Sequence, residues 1–414
     1  MDSSAVDASF DVLVIGGGNA GISAAARLLR KGIHNVAVIE PQTIHTYRPL
    51  LSYVGGGQAT MASAERTQRS VTPKGCTWLM DTAVDVDAAA RVVRCASGRE
   101  YRYRDLIVAT GLVPDTEALP GIARALDDPA VASNYLDAAD KTWKVLQRMP
   151  VDGRAIFTVP RAPVSCTGTT IKPLFLAAEH WKRTGRSTGG QERSDSGRST
   201  GVAITLVVDR DRLSDAPDLD ARLRNLLGEL GVQVLYQTGV TGLFPDERSI
   251  TVTDRGDGTV RRLSYDMLHL VPPFRGPEWV TSSGLAADGS FGLADVDPGT
   301  FQHRAHPHVW AAGDGATVDT DPSGGALRRQ IAILVDNLLA VRTGGHTTAY
   351  DGYTVAPITT DAHRLILGEF DRSGALASAL PSPLDPLKPR RTAWAFDRYG
   401  LPLIYWKLIL NGRL

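Results

Sequence analysis

Short apolar runs of strand length alternate with longer stretches of helical period through most of the chain. Phe10-Asp-Val-Leu-Val-Ile15 is continuous enough to be a strand buried on both faces. A glycine cluster follows it, then an Ala/Leu-rich helical pattern over about 19–31. A β-branched run, Asn35-Val-Ala-Val-Ile39, then stops at Glu40. Further strand-like runs fall near 103–108, 155–159, 203–208, 232–236, 249–253 and 308–312, with helical patterns near 172–183 and 219–230. Strands alternating with helices predict an α/β fold with parallel sheets. Gly256-Asp-Gly-Thr259 predicts a hairpin turn. The polar, Gly/Ser-rich stretch 184–201 predicts a mobile surface loop.

The cluster after the first strand is Gly16-Gly-Gly18-Asn19-Ala20-Gly21. Its spacing is that of a dinucleotide turn: Gly16 allows the tight bend, Gly18 lets the backbone approach a pyrophosphate, and Gly21 lets the helix pack on the strand. The helix N-terminus offers free N–H groups and a partial positive charge to phosphates. Glu40 lies roughly 20 residues on, where a carboxylate bonds ribose hydroxyls, and it argues for an unphosphorylated ribose. Such a turn alone is weak; the full strand-turn-helix-strand-Glu context makes an ordinary glycine turn a poor alternative. Two later strands close on similar turns, Tyr103-Arg-Asp-Leu-Ile-Val-Ala109-Thr110-Gly111 and His308-Val-Trp-Ala-Ala-Gly313-Asp314. These two segments resemble the remaining flavin motifs of the flavoproteins with two dinucleotide-binding domains, and in this order and spacing that resemblance implies FAD. The expected organisation is an FAD-binding domain in two pieces, 1–125 and 287–345. A second Rossmann-like domain is inserted at 126–286, and a C-terminal region covers 346–414.

The inserted domain breaks its own pattern. The strand near 155–159 enters Pro160-Arg161-Ala-Pro163-Val-Ser-Cys166-Thr-Gly168 rather than a second glycine fingerprint, and none occurs between 151 and 175. An NADH-driven reductase needs that fingerprint, so the loop points away from nicotinamide and toward thiol chemistry. The helix beginning near Pro173, with Arg161 and Lys172, is expected to favour a Cys166 thiolate. The plain alternative is a small buried filler.

Charge narrows the partners. Lys plus Arg number 45 and Asp plus Glu number 45, so no overall field attracts nucleic acid. The other thiols, Cys76 and Cys95, are expected to be structural, with Cys95 solvent-facing in a hairpin. Three cysteines in 414 residues do not form a disulfide scaffold. His303, His306 and His308 read as a surface loop rather than a metal site. No signal peptide is visible at the N-terminus, and a reducing cytoplasm is the default. The stretch 399–410, Tyr-Gly-Leu-Pro-Leu-Ile-Tyr405-Trp406-Lys407-Leu-Ile-Leu, is too short to span a bilayer. Its Tyr, Trp and Lys suit a monotopic lipid contact, and the same stretch suits a core or homodimer-interface helix equally well.

Together these segments resemble the sulfide:quinone oxidoreductases, particularly the branch with the mitochondrial enzyme. The resemblance rests on Gly16–Gly21, His45-Thr-Tyr47-Arg-Pro-Leu50 with Val54-Gly-Gly-Gly57, and Pro163-Val-Ser-Cys166. It rests also on Thr300-Phe-Gln-His303 with Gly313-Asp314, Tyr350-Asp-Gly-Tyr353, and Leu403-Ile-Tyr-Trp406. It runs from residue 10 to about 410. The cysteine loop and Tyr-Asp-Gly-Tyr segment are its most specific parts. It implies a glutathione-reductase-like flavoprotein in which Asp314 bonds the ribityl chain, Ala109-Thr110-Gly111 passes near the cofactor, and Cys166 carries sulfide sulfur as a persulfide. Two electrons would pass from sulfide or a related thiol donor through the Cys166 adduct and FAD to a quinone. The expected setting is cytoplasmic, peripheral on the inner face of the plasma membrane. Phe370, Phe396 and Tyr399 are weak candidates for a quinone pocket, and His45 and Tyr47 are expected mainly to pack.

The resemblance also implies a second redox cysteine just after Gly313-Asp314. Gly315-Ala316-Thr317 stands there instead, and 321–325 lacks the lysine the resemblance implies. Three readings therefore stay open. One is a sulfide oxidiser that uses Cys166 with an external thiol as sulfur acceptor. Another is a flavin dehydrogenase with a different donor. The last is a flavin- or partner-binding protein whose catalytic pair has decayed.

Overall fold

The structure is a computed structural model and describes all residues except 1–6, 137, 187, 189–200 and 378–384. The loop expected at 184–201 lies largely outside the described residues.

The N-terminal run becomes β1 (Ala8–Ile15), the centre of a seven-stranded sheet. It is joined by β2 (Val36–Ile39), β3 (Cys76–Leu79), β4 (Ala83–Asp87), β5 (Val92–Cys95) and β6 (Glu100–Val108), in the spatial order β3-β2-β1-β6-β5-β4. β1 pairs in parallel with both β2 and β6. Val12, Leu13 and Val14 are wholly buried, as a strand covered on both faces requires. The Ala/Leu-rich pattern forms α1 (Asn19–Arg30), which buries Ile22, Ala24, Ala25 and Leu28.

β4 and β5 form an antiparallel hairpin, but β6 continues the pairing from β5. That corrects the expectation for Cys95. The hairpin is not a free ribbon, its inward positions join the core, and Cys95 is buried.

The second sheet contains β7 (Val131–Ala132), β8 (Arg154–Val159), β9 (Ala203–Val208), β10 (Gln233–Leu235) and β11 (Met267–His269), in the order β7-β11-β8-β9-β10, all parallel. α2 (Lys172–Arg183) follows β8 and buries Leu174, Phe175 and Trp181 in the core of this sheet. Three antiparallel strands between Thr238 and Ser264 form a separate small sheet, with 255–259 as one of its turns.

The chain then returns to the first sheet. β12 (Val309–Ala311) pairs with β6, and α3 (Gly324–Arg342) packs against α1. Beyond α3 an antiparallel pair (Thr354–Asp361 with Arg364–Phe370) lies against α2. A helical run with two π-turns covers 391–409. The result places the C-terminal ends of β1, β6 and β12 beside the loop that follows β8.

Candidate functional site

The glycine cluster is shaped by close backbone approach. Gly16 sits at φ +105°, and a Cβ there would lie 2.4 Å from the Ala109 carbonyl oxygen; one at Gly21 would lie 1.8 Å from the Gly16 oxygen. Gly18 differs: nothing lies within 4 Å of where its Cβ would stand. It also caps α1, whose first turn has neither a side-chain cap nor an acidic residue. An anion approaching Gly18, Asn19 and Ala20 therefore meets unsatisfied N–H groups and no opposing carboxylate. Glu40 accepts the N–H of Gly17 and of Gln42, each at 2.7 Å, which fixes its carboxylate beside the turn. The open edge, the free helix end and the placed acid fit a dinucleotide.

Two residues unassigned to this turn hold it from behind. Gln68 donates to the Gly17 oxygen at 3.0 Å, and His45 Nδ1 lies 3.0 Å from the same oxygen. A carbonyl at Nδ1 requires the Nδ1–H tautomer, so Nε2 accepts the Tyr405 hydroxyl at 2.5 Å. Burial lowers the His45 pKa and keeps the ring neutral. The Tyr47 and Tyr405 rings are 4.4 Å apart. The C-terminal aromatic segment thus reaches back to the glycine turn, a contact that no local pattern announces.

Burial raises the pKa of Asp314, just beyond β12, with Ser165 and Arg48 pulling the other way. Gly313 N–H is held by Gln330 at 3.2 Å. Pro163, Val164 and Thr167 of the cysteine loop share a cleft wall with Asp314 and Ala316 of the turn after β12. Cys166 has a left-handed backbone, φ +51°, sparsely populated by a non-glycine residue. Its carbonyl accepts both the N–H (2.9 Å) and the hydroxyl (2.8 Å) of Thr169. Tyr135 bonds the Ser165 carbonyl and the Thr169 hydroxyl.

The expected thiolate is not what this setting favours. Burial pushes the Cys166 thiol up to about 12, with Asp321 adding to the rise and Lys172 opposing it. A short 3₁₀ turn, Thr167–Thr169, separates the cysteine from the start of α2, so the helix end does not cap the sulfur. Arg161 is engaged elsewhere, paired with Asp115 at 2.6 Å. Lys172 is wholly buried, 3.6 Å from the equally buried Asp397, which in turn accepts the Tyr53 hydroxyl at 2.6 Å.

Beside the loop lies a cleft of about 340 Å³, walled by Pro163, Val164, Thr167, Arg210, Asp314 and Asp321 among others. Asp321 escaped the sequence reading because nothing local marks it. Thr167 donates to its Oδ1 through hydroxyl (2.5 Å) and N–H (3.4 Å). The remaining thiols are remote from this site, in β3 and β5. His303, expected on a surface loop, is buried: Nδ1 accepts the N–H groups of Ala305 and His306, and Nε2 bonds the Leu285 carbonyl. Among the described residues no cluster of His, Cys, Asp or Glu could hold a metal, and no helix is long and apolar enough to cross a membrane.

Residues 10–332 match the family model of the pyridine nucleotide-disulphide oxidoreductases. The chain is 32% identical over 408 residues to the mitochondrial sulfide:quinone oxidoreductase of Mus musculus, covering 97% of this chain and 87% of that one. The Dictyostelium discoideum enzyme is 31% identical, with 97% and 86% covered. The chain belongs to the sulfide:quinone oxidoreductase family. It is an oxidoreductase of a flavin-dependent type. The fold agrees with the Aquifex aeolicus sulfide:quinone oxidoreductase (TM-score 0.78, 18% identity, 97% and 91% covered). It agrees also with a chain of the Tetrahymena thermophila mitochondrial ATP synthase (TM-score 0.83, 20% identity, 100% and 98% covered). At such identities the structures speak for the fold alone.

Within this family the chain's departure has a structural face. A Cβ at Gly315 would lie 2.8 Å from the Gly111 carbonyl oxygen and 3.3 Å from Thr110 Oγ1. The Ala109-Thr110-Gly111 turn closes the position where a second cysteine would stand.

Proposed function

We propose that the protein oxidises sulfide, or a closely related sulfur donor, through Cys166 and FAD, with a quinone as electron acceptor. The observation that carries this reading is the cleft wall shared by Val164, Thr167 and Asp314, which sets the loop bearing Cys166 against the turn that ends β12. Gly16, Gly18, Asn19, Ala20 and Gly21 would hold the pyrophosphate of FAD, and Glu40 its ribose. Ala109, Thr110 and Gly111 would lie along the cofactor, and Gly313 and Asp314 would hold its ribityl chain. FAD, when bound, takes up two electrons at a time and passes them on. Cys166 supplies the sulfur that would join sulfide as a persulfide, a two-electron oxidation whose electrons would pass to FAD. Because burial holds this sulfur as a thiol, its proton must leave as the bond forms, and the Lys172 ammonium favours that loss. Phe396, Tyr399 and Leu403 are exposed on the C-terminal run, which supports peripheral attachment to a membrane, where a quinone would be met.

Anaerobic addition of sulfide to the purified flavoprotein tests the reading. Sulfide is expected to bleach the flavin band of the wild type, and Cys166→Ala is expected to slow bleaching by at least 100-fold. Equal bleaching of both proteins removes Cys166 from the mechanism. Reduction by another donor alone would favour a dehydrogenase with a different substrate, and rapid reduction by NADH would reverse the argument from the missing fingerprint.

A further inference from the structure

We propose that Asp321 takes the proton of a small uncharged thiol docked in the cleft that the Cys166 loop walls through Val164 and Thr167, and returns it to the Cys166 sulfur as the persulfide is handed on. This rests on the reading of Cys166 as the sulfur carrier, and it assigns the missing second cysteine's duty to an external acceptor.

The cleft sets the acceptor's charge. Asp215, Asp314, Asp319, Asp321 and Asp371 line it against two guanidiniums, Arg210 and Arg372. Both guanidiniums are already engaged. Arg210 bonds Asp215 and the Thr167 hydroxyl, each at 2.9 Å, and Arg372 bonds the carbonyls of Val318, Pro298 and Tyr350. An excess of carboxylates repels an anionic thiol. A neutral thiol enters without that cost, but it must lose its proton inside the cleft before it can attack.

Asp321 is placed to accept it. Its carboxylate is fixed by Thr167, the residue next to Cys166, and burial raises its pKa to about 6 against the opposing pull of Thr167 and Arg210. It remains ionised at neutral pH while matching a general base well. The other charged or titratable groups facing it are Cys166, Tyr135 and Asp215. The leaving group needs the same proton: a buried Cys166 thiolate is disfavoured, so protonation at departure lowers the barrier. The step balances without an outside oxidant. The acceptor's S–H proton passes to Asp321, its sulfur bonds the outer persulfide sulfur, the bond from that atom to Cys166 Sγ breaks, and Asp321 protonates Sγ. The acceptor leaves as a persulfide and Cys166 as a thiol.

The test uses the flavoprotein with Cys166 loaded by inorganic polysulfide, so that transfer is read whether or not sulfide reduces the flavin. Loss of the persulfide to 2-mercaptoethanol or to 3-mercaptopropionate is followed by mass. The wild type is expected to release at least tenfold faster to the uncharged thiol, with a rate that rises with pH through an inflection near 6. Asp321→Asn keeps the acceptor oxygen for Thr167 but cannot take a proton. It should slow release at least tenfold at pH 7 and abolish the inflection. Thr167→Val removes a bond that stabilises the carboxylate and should move the inflection to higher pH, which keeps the idea testable if the first variant does not fold. Failure of polysulfide to load Cys166, equal rates for the two thiols, or an unchanged inflection in either variant overturns the proposal.

Discussion

Gly315 shows how one missing side chain alters the chemistry open to the whole site. A thiol there would be the natural partner for Cys166, but the Gly111 carbonyl oxygen stands 2.8 Å from the Cβ it would need. Gly315→Cys should therefore destabilise the protein rather than complete a redox pair. Overpacking against backbone costs about 1–3 kcal/mol, so the variant should melt several degrees lower. Its thiol count should stay at four under mild oxidation; a count of two, with unchanged stability, would show that the turn yields. At this scale much of the site was legible. The glycine turn and Cys166 stand out because each needs a particular residue at a particular backbone position. The state of the thiol was not legible, because desolvation depends on everything packed around Cys166. Asp321, which adds to that effect, lies 154 residues from the Thr167 it bonds. Cys95 was misread for the same reason: a hairpin's inner face is exposed or buried according to whether a further strand follows.

At the scale of elements, α2 connects the cysteine loop to the end of the chain. Lys172 opens α2 and is wholly buried, and its charge partner Asp397 belongs to the C-terminal helical run. Tyr53 and Thr359 extend the network, through hydrogen bonds of 2.6 Å to Asp397 and 3.3 Å to Tyr53. Removing one member of a buried pair strands the other charge, at about 3–5 kcal/mol, whereas replacing both by apolar groups can be nearly neutral. Lys172→Met alone should lower the denaturation midpoint sharply, and Lys172→Met with Asp397→Leu should recover most of the loss. If the double variant is as unstable as the sum of its parts, the pair is not a closed unit. The strands and helices around this network were readable from period and length, since buried parallel strands are continuous apolar runs. The network itself was not, because Lys172 looks like an ordinary first-turn residue until the chain 225 residues later returns to cover it.

The molecule as a whole combines a neutral charge balance with a C-terminal run that faces two ways. Tyr405, Ile409 and Leu410 turn inward, and Tyr405 reaches His45 behind the glycine turn. Phe396, Tyr399 and Leu403 turn outward and are 44%, 58% and 64% exposed. Lys407, further along the same run, is exposed as well. The sequence reading left a lipid contact and a core helix evenly matched because the run contains both: its apolar residues are divided between two faces that composition cannot separate. If the outward face rests on a membrane, Tyr399→Glu with Leu403→Glu should weaken it selectively. Full burial of one such side chain is worth about 1.5–3 kcal/mol, so losing two predicts at least a tenfold drop in sedimentation with mixed neutral and anionic lipid vesicles. The thermal midpoint should hardly move, because neither side chain is in the core. Tyr405→Phe should do the reverse, lowering stability by about 1 kcal/mol through the lost hydrogen bond while leaving vesicle binding intact. Equal sedimentation of wild type and the double glutamate variant would mean that this face meets no lipid, and that a quinone must reach the site by another route.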